Sequence, residues 1–139
     1  MRPATPLLLL VLSLIPVLVQ GQGTLSDAAE RARRAWTGHD AQSLVGQSST
    51  LVLQIPGADP SSPLGRPQAI ELLRRYLRPA EERGLDVTAI REVEPGKGFI
   101  EMVRRYVISG TAELRRQTLY LGYRLLDGEW RLVELRSAP

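Results

Sequence analysis

The chain reads as an α+β protein, with N-terminal helices packed on one face of a curved antiparallel sheet. Three observations predict this. Apolar residues recur at helical spacing up to Leu77, the period switches to two from Leu85 onward, and 139 residues at 43% hydrophobic content suit one core.

The first stretch, Met1 to Gly23, reads as a secretory signal peptide. Arg2 supplies a positive start, and the uncharged run Leu7 to Val19, interrupted by Pro16, falls short of the roughly 20 apolar residues a membrane span needs. Cleavage is expected after Val19-Gln20-Gly21 or Gly21-Gln22-Gly23. Residues 24–139 then form a single domain, exported to the periplasm or the exterior and free of the membrane once the signal is removed.

Thr24 and Ser26 are candidate N-caps for a first helix, whose apolar stripe is Leu25, Ala28, Ala29, Ala32, Ala35 and Trp36. Thr37-Gly38 ends it. Asp40 caps a short second helix, Ala41 to Val45, which Gly46 stops. Thr50 to Ile55 is β-rich and ends at Pro56-Gly57. Pro67 suits the first turn of a third helix, with Leu73 and Leu77 on its buried stripe and Arg74, Arg75 and Arg78 opposite. Pro79 kinks or ends this helix, and Ala80 to Arg83 could add a turn before Gly84.

The strands expected beyond are Leu85–Val93, Phe99–Ser109, Leu114–Leu126 and Trp130–Arg136, separated by Pro95-Gly96-Lys97-Gly98, Gly110-Thr111 and Asp127-Gly128. Hairpins in series make a meander, and Asp-Gly is the preferred two-residue turn.

Composition excludes several chemistries. The chain has no cysteine, so disulfides, thiolate metal sites and cysteine nucleophiles are out, and its one histidine rules out a multi-histidine metal centre. No metal or cofactor is expected. The net charge of +3 falls to +2 without Arg2 and comes almost wholly from arginine. No helix-turn-helix, zinc-finger or RNA-platform motif is present, so nucleic acid is not an expected partner.

Three stretches carry a resemblance: Ala35-Trp36-Thr37-Gly38-His39-Asp40-Ala41, Gly65-Arg66-Pro67-Gln68-Ala69-Ile70 and Asp127-Gly128-Glu129-Trp130-Arg131-Leu132-Val133. With the order of elements, they make the chain similar to the nuclear transport factor two-like superfamily, which includes SnoaL-like and ketosteroid-isomerase-like proteins. The resemblance spans the chain after the signal. It implies a cone-shaped, cystatin-like α+β roll with a cavity, whose occupants across the superfamily range from steroids and polyketides to protein partners. Enzymatic members typically place an aspartate or histidine inside the cone. Here Asp40 and Asp127 fall in caps or turns and His39 in a turn expected to be solvated, so no catalytic dyad carries over.

If Gly110-Thr111 and Asp127-Gly128 are two-residue turns, Arg104 faces Gln117, Leu121 faces Glu134 and Leu119 faces Arg136. These residues, with Tyr106 and Tyr123, share the more apolar face, the one that meets the helices. A polar cluster in an apolar wall reads either as an internal ion pair of Glu134 with Arg104 or Arg136, or as a ligand site. In the second reading Arg104 and Arg136 hold an anionic or carbonyl group, and Gln117, Tyr106 and Tyr123 add hydrogen bonds. Glu134 is the one carboxylate placed to act as a base. Burial and the neighbouring arginines act on it in opposite senses, a conflict that argues against catalysis.

The opposite face is half apolar and sets Arg105 against Arg116 and Arg124 against Arg131. It suits a homodimer interface. The function expected is thus a non-catalytic, exported domain that binds a small apolar or anionic ligand or a protein partner. The alternatives are an isomerase-, dehydratase- or cyclase-type enzyme using Glu134, and a dimeric interaction module with a filled cavity.

Overall fold

The structure is a computed structural model and describes residues 23–56, 58 and 62–139. The expected signal segment and Gly57 of the first strand's closing turn lie outside the described residues.

Helix α1 (Leu25–Thr37) starts at a capping box: the Asp27 amide donates to Thr24 Oγ1 at 3.1 Å and the Thr24 amide donates to Asp27 Oδ2 at 3.0 Å. Thr24, not Ser26, is the cap. All six residues of the expected stripe are buried. Helix α2 (Ala41–Val45) is capped by Asp40, which accepts from the Ser43 amide at 3.1 Å and from Ser43 Oγ at 2.6 Å. The turn between them holds His39 at φ 53°, a left-handed conformation uncommon outside glycine.

Strand β1 (Thr50–Gln54) pairs with a two-residue strand β2 (Leu64–Gly65) that the sequence pattern is too short to show. Helix α3 (Arg66–Leu77) follows, with Pro67 in its first turn and Ala69, Leu73 and Leu77 buried. The extra turn expected over Ala80–Arg83 does not form. Pro79 has no amide hydrogen to continue the helical ladder, and its carbonyl accepts from the Ser109 amide at 2.7 Å, so Ala80 already belongs to β3 (Ala80–Glu94).

The meander continues through β4 (Lys97–Ile108), β5 (Leu114–Leu126) and β6 (Glu129–Ala138). Asp127 and Gly128 both have positive φ, 52° and 76°, as a tight hairpin turn with the twist of its strands requires. Strand order is β2-β1-β6-β5-β4-β3. β1 runs parallel to β6, which makes the sheet mixed rather than purely antiparallel. Hairpins impose antiparallel pairing only on sequence neighbours, and β1 reaches the meander through α3.

The helices cover one face of this curved sheet, and the core between them gathers Trp36, Leu51, Leu73, Ile100, Met102, Leu119, Leu121 and Leu135. β3 carries three register shifts against β4, between Glu82 and Gly84, Val87 and Ala89, and Glu92 and Glu94. Such bulges bend a strand and increase its twist, which curls this edge toward the helices. Where α1 meets the sheet the fit is close: a Cβ on Gly98 would lie 2.7 Å from Leu25 Cδ1. Among the described residues no helix is long and apolar enough to cross a membrane.

Candidate functional site

The β4–β5 register follows the sequence expectation: Arg104 pairs with Gln117, and one step outward Tyr106 pairs with Arg115. Alternate residues share a face, so all four point to the helix side. Arg104 and Gln117 are both buried, Arg104 at 1% exposure. They form a polar layer above the apolar Met102–Leu119 step.

A buried guanidinium needs a counter-charge, and the one it finds is Glu82, whose side chain is 4% exposed. Arg104 Nε donates to the two Glu82 oxygens at 2.8 and 2.9 Å, and Nη2 donates to Oε1. Nη1 donates to Gln117 Oε1 at 3.0 Å and to Tyr76 Oη at 3.4 Å, while Tyr76 Oη donates to Gln117 Oε1 at 2.7 Å. Arginine can only donate, which fixes the Gln117 oxygen as the atom facing it and leaves the Gln117 amide NH₂ as that side chain's donor. The cation is also enclosed by rings: Arg104 Cζ lies 3.8 Å from the centroid of Tyr106, 5.0 Å from Trp36 and 5.5 Å from Tyr76.

The internal ion pair expected of Arg104 with Glu134 is therefore made with Glu82 instead. A bulge in β6 is the reason. Tyr123 pairs with Leu132, but Gly122 pairs with Glu134, so Val133 is the extra residue and the register moves by one. Leu135, not Glu134, faces Leu121, and Arg136 faces Tyr120 instead of Leu119. A slip of one residue exchanges the faces of a strand. Glu134 and Arg136 thus lie on the outer face, where they pair at 3.0 Å with side chains 41% and 45% exposed, and Arg136 Cζ sits 5.5 Å from the Tyr120 ring.

Tyr123 is inward and buried but belongs to the opposite end of the cone. It lines a hollow of about 120 Å³ with Ala28, Leu44, Val45 and Trp130, room for a few waters. Burial pushes its phenol well above the ordinary tyrosine range, with Arg31 acting weakly the other way.

The layer of Arg104 and Gln117 instead floors a cavity of about 530 Å³, within the size range of small-molecule sites. Its walls include Ile55, Leu72, Tyr76, Ala80, Tyr106 and Ile108, and Arg75 and Arg115 also line it. Of the residues expected to form a site, the fold brings together Arg104, Gln117 and Tyr106 and separates Tyr123, Glu134 and Arg136. Glu82, Tyr76 and Trp36 are the participants that the strand pattern did not reveal. For Glu82 a signal existed: Pro79 ends the helix and frees Ala80–Glu82 to extend, and this segment lies beside Tyr106–Ile108.

His39 is less solvated than its turn suggests. Its Nε2 lies 3.7 Å from Glu82 Oε1, and among the described residues neither this atom nor buried Trp36 Nε1 meets a hydrogen-bond partner. Among the described residues no three metal-ligating side chains gather. The outer like-charge pairs Arg105–Arg116 and Arg124–Arg131 occur as expected. Neighbouring acids relieve them: Asp86 is 3.3 Å from Arg105, and Glu129 and Asp127 are 3.8 and 3.9 Å from Arg131.

A mixed sheet curled around helices over a largely apolar cavity is a cone fold of the nuclear transport factor two-like kind. The chain superposes on a ketosteroid isomerase-like protein from Erwinia carotovora with a TM-score of 0.68 at 12% identity, over 87% of this chain and 99% of that one. It superposes on a candidate calcium/calmodulin-dependent protein kinase type II association domain from Thiobacillus denitrificans at 0.63 and 16%, covering 82% and 93%. A candidate polyketide cyclase from Pseudomonas putida gives 0.62 and 11%, covering 84% and 92%. Likeness at this identity shows the fold alone. No protein-family model and no curated protein sequence matches the chain.

Proposed function

We propose that this domain is an exported binder of a small, largely apolar molecule and performs no chemistry on it. The observation that carries the reading is the cavity whose polar floor is already neutralised. Arg104 of that floor spends its donors on Gln117, Tyr76 and Glu82, and the Glu82 carboxylate behind it is held by this pairing. A carboxylate so engaged is poorly available as a base, and the site then offers shape, apolar walls and the Gln117 amide. Export rests on the Arg2 and Leu7–Val19 pattern, and mass analysis of the extracytoplasmic protein tests it: loss of the first 21 or 23 residues is expected. Recovery of the uncleaved chain in the cytosol contradicts it.

Binding is tested with Nile red, an uncharged apolar fluorophore. Saturable fluorescence enhancement is expected for the wild type and its loss for Leu72→Trp, which fills the cavity. Enhancement that does not saturate, or that survives Leu72→Trp, overturns the proposal.

A second reading, homodimerisation through the outer sheet face, is favoured by the Phe99–Tyr120 stack at 6.0 Å, with Arg91 and Arg136 over its rings. Sedimentation equilibrium tests it. A dimer dissociated by Phe99→Glu supports the reading, and a monomeric wild type refutes it.

A further inference from the structure

We infer that the cavity's ligand is a monocarboxylate amphiphile, its apolar body inside and its carboxylate at the mouth between Arg75 and Arg115. This rests on the binding role proposed above and names the class of ligand.

Depth in the cavity can be read from the sheet. Gln117 and Arg115 are successive inward positions on β5, roughly 7 Å apart along the strand. Gln117 is buried, whereas the Arg115 side chain is 48% exposed, so the wall runs from a closed floor to an open rim. Across the opening stands α3, where Leu72, Arg75 and Tyr76 share one helical face and all line the cavity. Leu72 and Tyr76 form the wall, and Arg75, 68% exposed, reaches the rim. Two guanidiniums from separate elements thus border one apolar opening.

Their charge is incompletely balanced. Glu71 is shared, 3.0 Å from Arg74 and 3.2 Å from Arg75, and only the Nε of Arg75 is used. The Arg115 guanidinium stands 3.8 Å from Glu113, beyond hydrogen-bond distance, and donates no hydrogen bond to a side chain or carbonyl of the described residues. Among the described residues the rim therefore carries two guanidiniums, Arg75 sharing Glu71 with Arg74 and Arg115 only 3.8 Å from Glu113, so their positive charge is partly offset and suits one added carboxylate. The floor, where Arg104 is already paired with Glu82, presents no such surplus. An anionic head therefore belongs at the rim, where it also keeps most of its hydration, and the hydrocarbon belongs inside.

Dansyl-labelled undecanoic acid and its methyl ester, titrated in parallel at low salt by fluorescence, test this. Both are expected to bind saturably, the acid about tenfold tighter, as a charge-assisted contact implies. The Arg75→Gln/Arg115→Gln variant is expected to remove that advantage, so that acid and ester bind it with equal affinity. Added salt shrinks the advantage in the wild type, since both arginines are exposed. Equal affinity for acid and ester, or an acid preference that persists in the double variant, overturns the carboxylate inference and leaves the binding role standing. Failure of either compound to bind saturably, with Nile red also excluded, overturns both.

Discussion

Glu82 and Arg104 are 22 residues apart in sequence and form a buried pair joined through the Nε and Nη2 of the guanidinium, although Glu82 pairs through its backbone with Tyr106 and Arg104 with Leu85. The shift between Glu82 and Gly84 lets the Glu82 carboxylate reach Arg104 diagonally across the strands. This contact makes the cavity floor neutral and converts the most conspicuous inward charge from a ligand anchor into a structural element.

Glu82→Leu is expected to cost about 3–5 kcal/mol of folding stability, because it leaves a buried guanidinium without its counter-ion. Glu82→Leu/Arg104→Met removes both charges and is expected to be the more stable of the two variants. Urea unfolding of both measures this. A double variant weaker than the single one contradicts the assignment of the pair.

Glu134→Ala and Arg136→Ala are each expected to change stability by less than about 1 kcal/mol, the range of exposed ion pairs. Neither should alter Nile red affinity. An affinity loss on either substitution would place these side chains inside the cone and refute the Val133 bulge.

The Asp40 cap carries a pH dependence. The side-chain and backbone hydrogen bonds from Ser43 hold its carboxyl below the usual aspartate range, so its folded pKa is lower than its unfolded one. The cap's contribution is therefore present above the unfolded value, about 3.9, and is lost as pH falls through the folded value. Asp40→Ala is expected to cost about 1 kcal/mol near neutrality, and the gap from wild type should close in acid. Thermal melts across that range test this, and a gap that widens in acid contradicts it.

Tyr123 has the opposite sign. Burial raises its folded pKa, so it contributes stability below the unfolded value, about 10, that declines as pH rises further. In an alkaline spectrophotometric titration of the native protein, Tyr123→Phe is expected to leave the phenolate signal unchanged until unfolding begins. An early loss of one tyrosine's worth of signal contradicts the burial.

Much was decided by the sequence alone because the relevant forces are local. The α1 stripe, the Asp40 cap, the Asp127-Gly128 turn and the Arg104–Gln117 register each follow from side-chain period or turn chemistry within a few residues. Tertiary structure decided the rest. The bulge at Val133 turned Glu134 and Arg136 outward, and the break after Glu82 aimed that carboxylate inward. A bulge displaces a strand by one residue without altering its alternating pattern, so only packing against neighbouring strands and helices determines where it falls.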